Sequence, residues 1–320
     1  MMHHTIPLSQ SVLRGSFSRD YDPVLTAASE DTITFQTPDI EWGYSPEPGK
    51  AVRTLRPAAE EADPKHPVIG PIEIQGASPG MTVEVRIQKL ETGWYGRSWG
   101  GGAGTWQSEA MQLTGDRTAI DWRLDRETST ATADIGDVSY TVPMQPFLGL
   151  IALQPRGRDV YPTPPPYYTG GNIDCRELTA GSSLFLPVET EGAMLYAGDG
   201  HAAQGDGEVS GTAIECPMDK ASIQIILHPD MTLTQPYAKT PAGLVTFGFD
   251  TDLNIACANA LRDMNRRMAA AFQITEEQAA ALAGAVVDLR ITQVVNGVKG
   301  VHAVLPEDRL HVAGLASDSS

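Results

Sequence analysis

The stretch Ser78-Pro79-Gly80-Met81-Thr82-Val83-Glu84-Val85-Arg86-Ile87-Gln88 decides the fold class. A Ser-Pro-Gly turn leads into strict alternation, with Met81, Val83, Val85 and Ile87 on one face and Thr82, Glu84, Arg86 and Gln88 on the other. Successive side chains of a strand point to opposite faces, so this spacing predicts a β-strand laid on a core. Working outward, the same logic predicts weaker strands over 32–36, 183–188 and 222–227. The 31 glycines and 23 prolines are spread along the chain rather than gathered in a tract, which fits many turns joining short elements.

Only the last quarter reads helical. From Thr251 onward Leu253, Ala256, Cys257, Ala260, Leu261, Met264, Met268 and Phe272 recur mostly three and four apart, which puts one apolar stripe on a helix. Thr275-Glu276-Glu277-Gln278 is a capping box and opens a second helix expected to end near Ala285. A strand is expected over 286–295 and a frayed end over 316–320. The expected organisation is a β-rich α+β chain: a body over 1–245 and a helical α/β segment over 246–320 packed on it.

Charge narrows the partners. With 23 Lys plus Arg against 40 Asp plus Glu, the net charge is −17, and no basic run offers a footprint for nucleic acid or an anionic membrane surface. Apolar runs fall short of the roughly 18 residues a spanning helix needs. The first ten residues, MMHHTIPLSQ, carry neither a basic n-region nor an apolar h-region, so no export signal is expected. Three cysteines without a C-x-x-C spacing fit a reducing, cytoplasmic compartment.

Two segments break the strand rhythm. Gly93 to Trp106 is glycine-rich and holds three of the five tryptophans, which suits either a surface covering or a pocket wall. YPTPPPYY, from Tyr161 to Tyr168, reads as a stiff internal connector. It leads into the region where reactive side chains concentrate. GGNIDC supplies Asn172 and Asp174, and GDGHAAQGDGE supplies Asp199, His201, Gln204, Asp206 and Glu208 on what reads as a bending loop. Carboxylate oxygens and an imidazole nitrogen on such a loop can converge on zinc or manganese. Either Asp-Gly pair taken alone would read as an ordinary hairpin turn. An EF-hand spacing is absent.

Other catalytic signatures fail on context. G-x-S-x-G occurs at Gly76-Ala77-Ser78-Pro79-Gly80 and at Gly96-Arg97-Ser98-Trp99-Gly100, but neither precedes a helix as a nucleophile elbow must. Cys175 and Cys216 read as small buried residues and His302 as a core histidine. His66 and His228 each precede a proline and read as turn residues. Asp39 reads as a turn acid or as a ligand delivered from the N-terminal part.

On PVLTAASEDTITFQTPD, GPIEIQGASPGMTVEVRI, PFLGLIALQP, GGNIDCRELTAGSSLFLPV, GAMLYAGDGHAAQGDGEVSGTAIE and DLRITQVVNGVKGVHAVLP, the chain resembles the acetamidase/formamidase family of amide hydrolases. The blocks stand in order over roughly residues 14–308. The resemblance implies a β-rich fold with a sandwich-like part, a small barrel-like part and a short α/β segment, assembled as a homodimer or higher homo-oligomer. It implies hydrolysis of short aliphatic amides to the acid and ammonia, with a divalent metal, zinc first, and carries over to Asp174, His201, Asp206 and Glu208. Arg176 stands where many members have lysine, and a guanidinium is a flatter, bidentate donor.

An unactivated amide needs activated water, stabilisation of charge on the carbonyl oxygen and a proton for the nitrogen. A cation held by Asp174, His201 and Asp199 would lower the pKa of water from roughly 15.7 towards about 7. Glu208 is the expected proton carrier, with Asp206 as the second acid, and Asp199 or Asp206 would complete the metal shell or orient His201. Asn172, Gln204 and Arg176 are the expected substrate-binding residues. The alternatives are hydrolysis of a lactam, cyclic imide or amidine on the same scaffold, or a non-catalytic metal-binding β protein.

Overall fold

The structure, a computed structural model, describes residues 1–56, 65–157 and 159–311. Strands take 43% and helices 13% of the chain, which settles the class as β-rich. The expected frayed end at 316–320 lies outside the described residues.

The alternating stretch forms the long strand Thr82–Thr92 near the middle of a nine-stranded sheet. From one edge the sheet runs His3–Ile6, Thr32–Thr37, Met218–His228, Thr82–Thr92, Ser183–Pro187, Tyr237–Thr240, Gly243–Asp250, Lys299–Leu305 and Asp288–Gln293. Val83, Val85 and Ile87 are fully buried while Arg86 reaches solvent, as alternation requires. Glu84 breaks the outward pattern: it is buried, held by Arg86, by Ser183 and by His228, whose Nε2 lies 2.8 Å from its Oε2.

A second sheet runs Pro166–Tyr167, Gly170–Asn172, Phe147–Leu153, Leu195–His201, Val68–Ile74 and Leu13–Arg14. One apolar cluster joins the two sheets, with Ile33, Val85, Ile87, Ile223 and Ile225 from the first and Ile69, Ile72, Leu148, Ile151 and Leu195 from the second. This is the expected sandwich, and burial of that surface is the main drive for the arrangement. Every residue of Phe147–Leu153 and of Leu195–His201 is buried, because both strands lie inside their sheet with both faces covered.

The expected small barrel is instead an open antiparallel meander of Tyr95–Gly100, Thr118–Asp125, Thr130–Ile135 and Val138–Pro143. Its last strand is largely exposed, so no closing partner is paired to it among the described residues. The aromatic stretch is therefore half strand. The proline-rich connector is stitched down as two short strands, Tyr161–Pro162 against Ser16–Phe17 and Pro166–Tyr167 against Gly170–Asn172.

The helical segment forms as its stripe predicts. Leu253–Phe272 buries Ala256, Ala260, Met264 and Met268, and Asp252 caps it by accepting from the amides of Asn254 and Ile255. Thr275 and Gln278 close the capping box of Glu276–Val286. Both helices pack on a separate apolar cluster with Val301 and Ala303. The strand Gly243–Asp250 spans the expected boundary at 245/246, so body and helical segment share one sheet.

Candidate active site

The site is built on the buried strand Leu195–His201. Asp199 and His201 stand two residues apart on it, so both side chains point to the same face. Asp199-Gly200-His201 is thus the end of a strand, not the bending loop that the sequence suggests. Gly200 is required by close approach: a Cβ there would stand 2.6 Å from the carbonyl oxygen of Cys216. Only 205–211 behaves as the expected turn, and it carries Glu208.

Asp174 arrives from the other side of the strand Phe147–Leu153, two residues past Gly170–Asn172, with its amide donating to the Gly149 carbonyl at 3.1 Å. Gly149 is the floor. A Cβ there would stand 2.6 Å from Asp174 Oδ1, 2.7 Å from Asp199 Oδ2 and 2.9 Å from His201 Cε1, so the missing side chain is the space in which the three groups meet. Phe147 packs edge-on against the His201 ring, with centroids 4.9 Å apart.

Two overlapping groups result. Ligand atoms of Asp174, Asp199 and His201 lie within 4.8 Å of one another, and so do those of His201, Glu208 and Glu215. All five residues are buried. Asp174, Asp199 and Glu208 also hold left-handed backbone, with φ of 55°, 59° and 47°. A non-glycine residue pays roughly 1–3 kcal/mol for such a conformation, and this strain gathers at functional sites.

The polar atoms at the centre lack partners. Asp174 Oδ1, Asp199 Oδ1, both His201 nitrogens, Glu208 Oε2 and Glu215 Oε2 are buried without a hydrogen bond. His201 Nε2 lies 3.0 Å from Glu215 Oε2 and 3.5 Å from Asp199 Oδ2, yet the alignment is wrong for hydrogen bonding. Unpaired buried carboxylates and imidazole are costly on their own, and a shared cation satisfies them together. The donor set, hard oxygens with one imidazole, suits a divalent ion such as zinc or manganese.

The electrostatics follow from burial. Burial pushes the Asp174 carboxyl up to about 7, aided by the Asp199 charge. Burial and the Asp174 charge likewise hold Glu208 well above the carboxylate range. Burial works against the charged forms of Asp199 and His201 as well, but their mutual attraction, with Glu215 beside His201, outweighs it. Asp199 therefore falls below its usual value and His201 rises above its own.

The remaining expected residues are placed as follows. Gln204 Nε2 donates to the Asp174 carbonyl at 2.8 Å, so it braces the loop of Asp174. Asn172 is buried, with its Oδ1 unpartnered. Arg176 reaches Gln145 Oε1 at 3.3 Å, and Asp206 is half-buried; neither joins the two groups. Asp39 accepts from Gly43, Glu41 and the Tyr95 hydroxyl. His302 is a core residue, Nδ1 against Thr292 Oγ1 at 2.8 Å, and burial, with Arg290 and Arg176 nearby, lowers it to about 3. Cys175 and Cys216 are buried thiols whose pKa burial raises, which makes them poor nucleophiles.

Sequence reasoning missed four contributors. Glu215 lies in the block GAMLYAGDGHAAQGDGEVSGTAIE, but its separation from His201 hides the backbone bridge between them. His66 Nδ1 lies 3.7 Å from Asp199 Oδ2, although it precedes a proline as any turn residue does. Asn296 Nδ2 donates to Asp174 Oδ2 at 2.8 Å from the C-terminal segment. Gly149 carries its signal only as a glycine inside an otherwise apolar strand, a mark of close approach.

A wide cavity adjoins the centre. It measures about 620 Å³ and is walled by the aromatic stretch, with Glu215 among its lining residues. The stretch is a pocket wall, one of its two expected roles.

Fold and site define a β-sandwich protein with a buried acid–imidazole centre. Residues 156–237 match the Acetamidase/Formamidase family. The acetamidase of Mycolicibacterium smegmatis is 50% identical over 58 residues, 18% of this chain and 14% of the relative. The formamidase of Methylophilus methylotrophus is 46% identical over 48 residues, 15% and 12% of the two chains. The match thus spans a small share of these relatives' length. Across the whole fold, the acetamidase of Yersinia enterocolitica superposes with a TM-score of 0.81 at 25% identity, covering 98% of this chain and 94% of the other. The family match is thus carried by residues 156–237, and the fold over nearly the whole chain is shared with a solved acetamidase.

Proposed function

We propose that this protein hydrolyses linear carboxamides to the carboxylic acid and ammonia, with a divalent cation, zinc first, held at the centre. The observation that carries the reading is the convergence over Gly149 of buried, unpartnered carboxylate and imidazole atoms. Asp174, Asp199 and His201 would hold the ion, with Glu215 3.0 Å from the same His201 nitrogen that Asp199 approaches. When bound, such an ion supplies Lewis-acid stabilisation of charge on the amide oxygen and acidifies water.

The chain's own groups supply the rest. Glu208, buried in one group with His201 and Glu215 and left-handed in its backbone, would take a proton from water at its carboxylate and give it to the departing nitrogen. Asp199 lies between His66 and His201, 3.7 Å and 3.5 Å from their ring nitrogens, and its charge would favour the protonated form of either ring until the ion binds. Asn296 and Gln204 fix Asp174 from its carboxylate and its carbonyl. Burial excludes bulk water and strengthens each of these interactions. We further propose that the body over 1–245 holds most of this machinery, that the segment over 246–320 buttresses it, and that the protein works in the cytoplasm as a homo-oligomer.

The test pairs elemental analysis of the purified protein with ammonia release from formamide, acetamide and larger amides. Stoichiometric divalent metal and amide-dependent ammonia are expected. Bound metal without turnover of any amide would leave the cation-clamping alternative instead, and release only from a lactam or cyclic imide would favour a different C–N bond.

A further inference from the structure

We propose that the aromatic cavity beside Glu215 receives the acyl group of the substrate and selects neutral aryl-substituted amides over formamide and acetamide. This rests on the amide-hydrolysis reading. Glu215 makes the connection, because it belongs both to the group with His201 and Glu208 and to the cavity lining. The cavity wall is fastened to that residue: the amide of Arg97 donates to the Glu215 carbonyl at 2.8 Å, and the amide of Glu215 to the Arg97 carbonyl at 2.9 Å. An amide whose carbon stands at the acid–imidazole centre would pass its acyl chain by Glu215 towards the strand Tyr95–Gly100.

Size argues against a methyl group as the natural occupant. A volume of about 620 Å³ lies within the range that holds ligands many times larger than acetamide. Wall chemistry gives the class. Trp94, Tyr95, Trp99 and Trp122 line the space. Two of their polar ends are committed, Trp122 Nε1 donating to Ser98 Oγ at 2.9 Å and the Tyr95 hydroxyl to Asp39 at 2.8 Å, while Trp94 Nε1 is buried without a partner and leaves one donor for a neutral polar atom of the ligand. The guanidinium of Arg117 covers one face of Trp99 at 4.4 Å. The remaining ring surface favours another ring, through offset or edge-on contact.

The charges exclude an anionic acyl group. Arg97 is engaged by Asp121 at 2.6 Å and by Glu41 at 3.3 Å, so it offers no unpaired cation to a second carboxylate. Asp39, Glu41, Asp121 and Glu215 outnumber Arg97 and Arg123 around the space, which repels an acid further. A neutral phenylacetamide-like substrate satisfies both conditions.

The experiment measures kcat/KM for ammonia release from acetamide and from phenylacetamide with the purified, metal-replete protein. Phenylacetamide is expected to exceed acetamide by at least about tenfold, the scale that apolar pocket contacts give. Trp99→Ala and, separately, Trp122→Leu are each expected to lower the phenylacetamide-to-acetamide ratio by about tenfold. Two variants are used so that misfolding of one leaves the other to decide. Acetamide turnover with no preference for phenylacetamide, or a ratio unmoved in the folded variants, overturns the inference and leaves amide hydrolysis standing. Ammonia release from no amide overturns both readings.

Discussion

A side chain on Gly149 would meet Asp174 Oδ1 at 2.6 Å, so these two residues are mutually exclusive in anything larger than their present form. The relation extends to Asp199 and His201, and it makes the glycine part of the site without contributing an atom to its chemistry. Gly149→Ala is expected to remain folded, because the strand is held by the core on both faces. Displacement of three groups by even about 1 Å costs on the order of 10²-fold in rate. Circular dichroism, metal content and ammonia release on one preparation check this: folded protein with lost metal and lost turnover is expected.

Removing a ligand and removing a proton carrier should differ. His201→Ala should lose metal and activity together. Glu208→Gln should keep metal and lose about 10²- to 10⁴-fold in kcat. Full activity of either variant contradicts the role given to it.

Glu215 separates the geometry from the motif. Its Oε2 stands 3.0 Å from His201 Nε2 without a proper hydrogen bond, so Glu215→Gln should weaken metal affinity by about 10- to 100-fold, the scale of an outer ligand partner. A competition titration with a chelator reads this directly, and an unchanged affinity would remove Glu215 from the centre.

His302 predicts a pH effect on stability. Burial lowers it to about 3 from 6.5, so the neutral ring is the folded form. A group of this kind contributes stability that is present above its unfolded pKa and is lost as pH falls from about 6.5 towards about 3. Urea unfolding of the wild type and of His302→Gln across that window should show a smaller pH slope in the variant.

Asp31 predicts an effect of the same direction on the first sheet, with the charged rather than the neutral form as the folded one. It is buried and accepts from the amides of Met2 and Ala28, with His4 Nε2 at 2.9 Å. Burial alone would raise it, but His4 and the amides outweigh burial and bring it down to about 2. Its contribution is therefore present above its unfolded pKa and lost as pH falls through about 2. Asp31→Asn should cost about 1–3 kcal/mol at neutral pH by leaving buried groups mismatched. The difference from wild type in urea unfolding should shrink near pH 2, the folded pKa.

Much of the fold was legible because its signals are local. Alternation at 81–88, the stripe from Leu253 to Phe272 and the capping box at Thr275 each involve neighbours a few residues apart, and the elements formed as read. The expected small barrel, implied by the resemblance, is an open meander, since closure depends on a pairing between distant strands that local pattern does not encode. The site divides in the same way. Asp174, Asp199, His201 and Glu208 stood out as dense polar residues among glycines. Glu215, His66 and Asn296 reach the centre through sheet register and tertiary contact, and each looks ordinary in its own stretch. Asp206 carried the same local signal as Asp199 but lies on the turn, in neither group, with its Oδ1 buried and unpartnered.

The amide of Gly207 donates to the Thr292 carbonyl at 3.1 Å, and Asn296 holds Asp174. Residues 122 positions apart in the chain thus complete one centre. On the ribosome, where the chain emerges from its N-terminus, Asp174 is made 122 residues before the amide that holds it. A partial translation product that ends before Asn296 would therefore lack the brace on Asp174, which arrives late, when the last strands dock.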